Sequence, residues 1–141
     1  MSFTFSARTR VAFSDTDAQG VVYYGRYNPY FDLARVEYHR SLGLFQRDRT
    51  DGGDFVMRAN VVEYVAPARF DDELEIHCRI SRIGRTSVTF EFEAYRLPDR
   101  TLMVTARQTL VYVDLHSREA VPVPDAYRTA IKDYEGGDVD A

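Results

Sequence analysis

Hydrophobic and polar positions alternate through residues 3 to 13. Phe3, Phe5, Ala7, Val11 and Phe13 fall on one face, and Thr4, Ser6, Arg8 and Arg10 on the other. A period of two is that of a strand buried on one side. The period then changes: Tyr27, Phe31, Ala34, Tyr38 and Leu42 recur at helical spacing, while Arg26, Arg35, Glu37 and Arg40 lie elsewhere around the same cylinder. Asn28 reads as the N-cap, with Pro29 at the first helical position, where a missing N–H costs nothing. Gly43 supplies the stop, so the pattern predicts an amphipathic helix of about 14 residues.

Residues 44–54, "LFQRDRTDGGD", read as a polar loop, and beyond it period two returns. Strands are predicted over 55–66, 73–81, 86–95 and 102–114, separated by "APARFDD" and "LPDR" turns. In 73–81, Leu74, Ile76, Cys78 and Ile80 face inward, with Glu73, Glu75, His77 and Arg79 outward. Consecutive strands at this spacing make an antiparallel sheet. Tyr127, Ala130, Ile131 and Tyr134 suggest a short closing helix after "VPVPD", and the tail from about 135 to 141 is expected to fray. One helix and one sheet, each with an apolar face, satisfy each other when the sheet wraps the helix. The expected class is α+β, with five or six strands around one long helix, in a single domain over residues 1–141.

Composition narrows the function. At 141 residues, 45% hydrophobic and 28% charged, the chain is of ordinary globular make-up. No apolar run approaches the roughly 20 residues of a membrane span. "MSFTFSARTR" lacks a signal peptide's apolar core, so a cytoplasmic location is expected, without membrane insertion. A net charge of -4 argues against a nucleic-acid footprint. Lys132 is the only lysine among 18 basic residues, an excess of Arg that is too general to mark a site.

The candidate chemistry lies in "FSDTDAQGVVYYGRYNPYFDLAR", residues 13–35. Asp15 and Asp17 in "SDTDAQG" suit a plain turn, because Asp side chains hydrogen-bond nearby backbone. The following "VVYYGRY" is apolar and aromatic and must lie against something. Asp17 would then sit, partly desolvated, at a helix entrance walled by Val21, Val22, Tyr23 and Tyr24. Free backbone N–H groups beside a carboxylate suit chemistry on a carbonyl. Asp15-Thr16-Asp17 also matches the Asp-x-Asp of magnesium-dependent phosphoryl transfer, but that class needs parallel strands and a basic phosphate anchor.

"DTDAQGVVYYGRYNPYFDLARVEYHRSLGL", followed by "YVAPARFDDELEI" and "RIGRTSVTFEFEAY", resembles the hotdog-fold acyl-CoA thioesterases of the 4-hydroxybenzoyl-CoA thioesterase-like family, which includes the thioesterases encoded beside the Tol-Pal envelope system. The likeness runs from about residue 7 to residue 115. It implies a sheet wrapped around the helix, and a homodimer of joined sheets that assembles into a homotetramer. It also implies hydrolysis of acyl-CoA at the dimer interface, with no metal or organic cofactor.

Carried over by position, Asp17 is the catalytic carboxylate, general base or nucleophile, and Tyr24 marks the backbone oxyanion donor. Val22 and Tyr23 fall in the substrate-binding stretch. Asp32 is either an ordinary i, i+3 partner of Arg35 or part of the pocket. Arg82 and Arg85 in "SRIGRTS" fall where relatives bind the nucleotide end of CoA, commonly from the neighbouring subunit. Tyr64 and Phe70, flanking "VAPAR", line the acyl pocket or belong to the core. A non-catalytic hotdog oligomer that binds an acyl ligand or a protein partner is the alternative reading.

His39, His77 and His116 are scattered without metal or dyad spacing, and are expected on the surface. Cys78 on an apolar strand face is expected to be buried and inert.

Overall fold

The computed structural model describes residues 3–47 and 52–141. Its elements are β1 (Phe5–Arg10), α1 (Tyr27–Ser41), β2 (Gly53–Tyr64), β3 (Glu73–Ile83), β4 (Ser87–Leu97), β5 (Thr101–Asp114) and α2 (Asp125–Glu135). The strands form one sheet in the order β1-β3-β4-β5-β2, with every pairing antiparallel. The helical stripe is the filling: Phe31, Ala34 and Tyr38 are fully buried. Phe31 packs 5.0 Å from Phe92, and Tyr38 lies between Phe5 and Phe90 at 5.6 and 5.9 Å. Truncating a ring held like that of Phe31 costs about 3–5 kcal/mol. This is the expected α+β architecture.

The ends of the elements differ from expectation for local reasons. The first strand stops at Arg10 rather than residue 13. An Asp15 carboxylate oxygen accepts the Ala12 N–H at 3.0 Å and the Thr16 hydroxyl donates to the Phe13 carbonyl at 2.7 Å, so Phe13–Asp15 curl into a 3-10 turn. Phe13 is left 76% exposed instead of facing the core. At the helix start a 3-10 turn over Tyr24–Arg26 runs straight into α1, so Arg26 occupies the N-cap that Asn28 was expected to fill. Asn28 lies inside the first turn, and its side-chain oxygen accepts from Asn60 at 2.9 Å. Pro29 remains harmless there, because first-turn N–H groups lack intrahelical acceptors. Gly43 ends the helix with φ +73°, as its position suggested.

Burial of polar groups departs further. His116 is exposed, as expected. His77 is half-buried between the Phe3 and Tyr95 rings, 2.9 Å from Glu75, and His39 is half-buried with its Nε2 2.7 Å from the Tyr127 hydroxyl. Glu75 and Arg79 share a face with His77 but are only 7% and 4% exposed, because β3 is an inner strand and neighbours close over it. Arg100 reaches Glu75 at 2.6 Å, and Arg79 donates to the Asp138 carbonyl.

The tail also contradicts its composition. Glu135 is buried and accepts hydrogen bonds from the Tyr38 hydroxyl and the Ile80 N–H. Beyond it Asp140 pairs with β3, its N–H on the Ser81 carbonyl at 2.9 Å and its carbonyl taking the Ile83 N–H at 2.7 Å. Cys78 is fully buried, and burial pushes its thiol well above the ordinary range, which makes it inert.

Burial raises the phenols of Tyr30, Tyr38 and Tyr127, and hydrogen bonds to Asp15 and Glu135 add to the first two. The folded state therefore holds these protons more tightly than the unfolded chain. Their contribution to stability is complete below the ordinary phenol value of about 10 and is lost as pH rises above it. In an ultraviolet titration these three tyrosines should ionise only together with cooperative unfolding. Smooth ionisation of all ten tyrosines in the folded protein would contradict their placement.

Candidate active site

Asp17 stands at the tip of a small hairpin. Residues Thr16 and Val22 pair across it, and Val21 pairs with Arg69 of the segment before β3. The Asp17 N–H donates to the Val21 carbonyl at 2.9 Å, and the Gly20 N–H to the Asp17 carbonyl at 3.0 Å. Gly20 has φ +78°, a conformation that favours glycine. The Gln19 N–H donates to Asp17 Oδ1 at 2.8 Å, which orients the carboxylate. Asp17 is exposed, so the desolvation expected at this position is not supplied by the chain itself.

Asp15 anchors the hairpin to the helix. One carboxylate oxygen accepts both the Ala12 N–H and, at 2.7 Å, the hydroxyl of the buried Tyr30 on α1. The Asp15 carbonyl accepts the Tyr23 N–H at 2.9 Å, and Arg26 lies 3.8 Å from the carboxylate. The two aspartates thus divide the work: Asp15 is bound into the frame and Asp17 is presented at its tip.

The Tyr24 and Gly25 amides open the 3-10 turn that leads into α1. Among the described residues neither has an acceptor, as the geometry of a helix start requires. With the positive end of the helix behind them, they are N–H groups of the kind that bind anions at helix entrances. The Tyr64 hydroxyl donates to the Tyr24 carbonyl at 3.3 Å, and the Tyr23 and Tyr24 rings stack 4.4 Å apart.

Asp17, Val22, Tyr24 and Tyr64 line one cleft of about 290 Å³. Four of the residues singled out in the sequence therefore meet, three from the stretch 17–24 and Tyr64 from the end of β2. Tyr23 packs on Tyr24 outside the cleft lining. Asp32 lies further along α1, paired with Arg35 at 2.8 Å, and Phe70 packs against Phe13 at 5.7 Å instead of lining the cleft. Arg82 and Arg85 belong to the other end of the sheet. Through the register Tyr64–Val104–Ala94–Ile76, Arg82 is six residues along β3 from the level of the cleft, about 20 Å. There Arg82 lies 3.7 Å from Asp140.

The sequence reading missed Gln19, Tyr27, Ala66 and Pro67 in the cleft lining, and missed Tyr30 as the anchor. Tyr27 and Tyr30 sit in the apolar helical stripe, where a ring reads as core. Both are buried, yet the Tyr27 hydroxyl also accepts the Ala68 N–H at 3.2 Å and so positions the cleft wall. Among the described residues no three His, Cys, Asp or Glu side chains gather into a metal-binding group. No described helix is long and apolar enough to cross a membrane.

A five-stranded antiparallel sheet wrapped round one long helix is the hotdog fold. The chain belongs to the thioesterase-like superfamily, whose family model matches residues 11–131. It is 34% identical over 129 residues to the acyl-CoA thioesterase YbgC of Haemophilus influenzae, covering 89% of this chain and 93% of that one. It is 38% identical over 109 residues to the acyl-CoA thioester hydrolase YbgC of Escherichia coli O6:H1, covering 74% and 78%. Among solved structures, the 1,4-dihydroxy-2-naphthoyl-CoA thioesterase Slr0204 of Synechocystis shares the fold with a TM-score of 0.83 at 22% identity, over 93% of this chain and 97% of that one.

Tyr30→Phe keeps the ring and removes the tie to Asp15. It should cost about 1 kcal/mol in urea unfolding, the ordinary net value of such a bond. An unchanged unfolding midpoint would show that Asp15 does not depend on the helix for its position.

Proposed function

We propose that this protein hydrolyses an acyl-CoA thioester to a carboxylic acid and free CoA, in one hotdog domain spanning residues 1–141. The observation that carries the reading is the shared cleft of Asp17, with one carboxylate oxygen left open, and the Tyr24 helix entrance. Asp17 acts as general base or as nucleophile. As base it takes a proton from water while the hydroxide adds to the thioester carbon. As nucleophile its oxygen adds directly, giving a mixed anhydride that water then opens. On either route the carbonyl electrons move onto oxygen, where the amides stabilise the charge. Collapse breaks the C–S bond and CoA leaves as a thiolate that takes up a proton.

The thioester carbonyl is already electrophilic and the thiolate leaves readily, so the scheme calls for no metal or organic cofactor. Losing one preorganised oxyanion donor typically costs about 3 kcal/mol of barrier. Because the donor here is backbone, replacing the Tyr24 side chain tests the ring alone.

A homodimer through β2 supports the same reading. β2, of 12 residues, is the last strand of the sheet, with Met57, Val61 and Tyr64 exposed. An edge of that length is a template for pairing with a second copy. Two-fold antiparallel pairing brings the far end of one sheet, with Arg82 and Arg85, towards the other copy's cleft, where their guanidinium groups meet the CoA phosphates. Assembly of two such dimers into a homotetramer and a cytoplasmic location complete the proposal.

Purified protein should release free thiol from at least one member of a panel of short aliphatic and aromatic acyl-CoAs, followed with a chromogenic disulfide. Silence across the whole panel would overturn the catalytic reading in favour of a ligand-binding oligomer.

A further inference from the structure

The polar side chains that line the cleft are those of Asp17, Gln19, Tyr24, Tyr27 and Tyr64. The phenols are engaged within the protein. Tyr64 donates to the Tyr24 carbonyl, Tyr27 accepts the Ala68 N–H, and the Tyr24 hydroxyl is hydrogen-bonded by that of Tyr23 beside it. Asp17 takes the Gln19 N–H. Among the described residues the Gln19 carboxamide has no partner, and it belongs to an exposed residue at the mouth of the same cleft as Asp17. A carboxamide carries both a donor and an acceptor, so it is the neutral side chain here with its full capacity left for what enters the cleft.

The turn decides where that capacity lies. The Gly20 N–H closes the hairpin on the Asp17 carbonyl at 3.0 Å, which leaves Ala18 and Gln19 at the tip. The Gln19 N–H is 2.8 Å from Asp17 Oδ1, so the Gln19 Cα lies about 4 Å from that oxygen. The backbone therefore starts the Gln19 side chain beside the carboxylate, and the length of a glutamine covers the space in which a water bound to Asp17 sits. A water held by one proton turns freely about that bond. A second acceptor fixes it, and glutamines orient attacking waters in this way in phosphoryl transfer.

We propose that Gln19 is a further catalytic residue, whose Oε1 accepts a hydrogen bond from one proton of the attacking water while Asp17 removes the other. This rests on the thioesterase reading above and selects within it the general-base route. The fixed water presents a lone pair to the thioester carbon. The C–O bond forms as Asp17 takes the proton, the carbonyl electrons move onto oxygen, and they return as the C–S bond breaks. The proton on Asp17 passes to the departing thiolate, and the other stays on the new carboxyl group until it ionises.

Gln19→Met tests this, because it keeps the length, removes the acceptor and retains the backbone N–H that orients Asp17. Wild type and variant are compared on the acyl-CoA that wild type cleaves fastest, in buffer and with methanol added. Methanol has a single hydroxyl proton, which it can give to Asp17, and has none for Gln19. The variant should lose about tenfold or more in kcat, with KM within about threefold of wild type, and its ratio of methyl ester to free acid should rise by about tenfold or more. A purely structural role would lower both products together, so an unchanged ratio would overturn the proposal. Asp17 and Gln19 are exposed and methanol has access to them, so ester from neither protein would overturn it as well. A variant that hydrolyses the substrate at the wild-type rate would defeat this inference and leave the thioesterase reading standing. Absence of thiol release by wild type across the whole panel would defeat the reading itself.

Discussion

The hydrogen bond from the buried Tyr30 hydroxyl to Asp15 is the constraint on which the site depends. The hairpin's own bonds and its bridge to Arg69 shape the segment between β1 and α1, and this bond ties it to the buried helix. With it, the strand end, the hairpin that carries Asp17 and the first turns of the helix become one rigid piece. The same carboxylate stops β1 by capturing the Ala12 amide, and the Asp15 carbonyl holds the Tyr23 amide where the chain enters the helix. The placement of the Asp17 hairpin relative to the helix entrance is thus set by bonds to a buried helix.

The sheet closes on one side and stays open on the other. β1, β3, β4 and β5 close around Phe31 and Tyr38, while β2 leaves Met57, Val61 and Tyr64 open to solvent on the sheet's last edge. Polar contacts tie α1 to this side of the sheet, Asn28 to Asn60 on β2 and Arg35 to the buried Gln108 on β5 at 2.7 Å.

What the sequence disclosed follows from the range of the forces involved. Strand periodicity, the helical stripe through Phe31, Ala34 and Tyr38, the glycine stop at Gly43 and the "DTDAQG" turn are local patterns, and each formed where expected. The shifted boundaries came from short-range backbone and side-chain bonds that periodicity does not register. Asn28 lost its capping place to a 3-10 turn at Tyr24, and Phe13 left the core face because Asp15 captured the backbone before it. The glycine-rich tail was expected to fray, yet Glu135 is buried against Tyr38, 97 positions away, which no composition reveals. In the site, Asp17, Val22, Tyr24 and Tyr64 converged, whereas Arg82 and Arg85 lie a sheet's length away in the same chain. Spacing along a chain cannot tell whether a residue serves its own site or that of another copy.

The central claim is that one carboxylate, Asp17, carries the chemistry, and that the frame around it only positions and binds. The most direct measurement is single-turnover hydrolysis by Asp17→Asn alongside binding of the same acyl-CoA. The account predicts that binding stays within a few-fold of wild type, while the rate constant for thiol release falls by about 10² to 10⁴. A variant that binds normally and still releases thiol at a tenth of the wild-type rate or faster would contradict it.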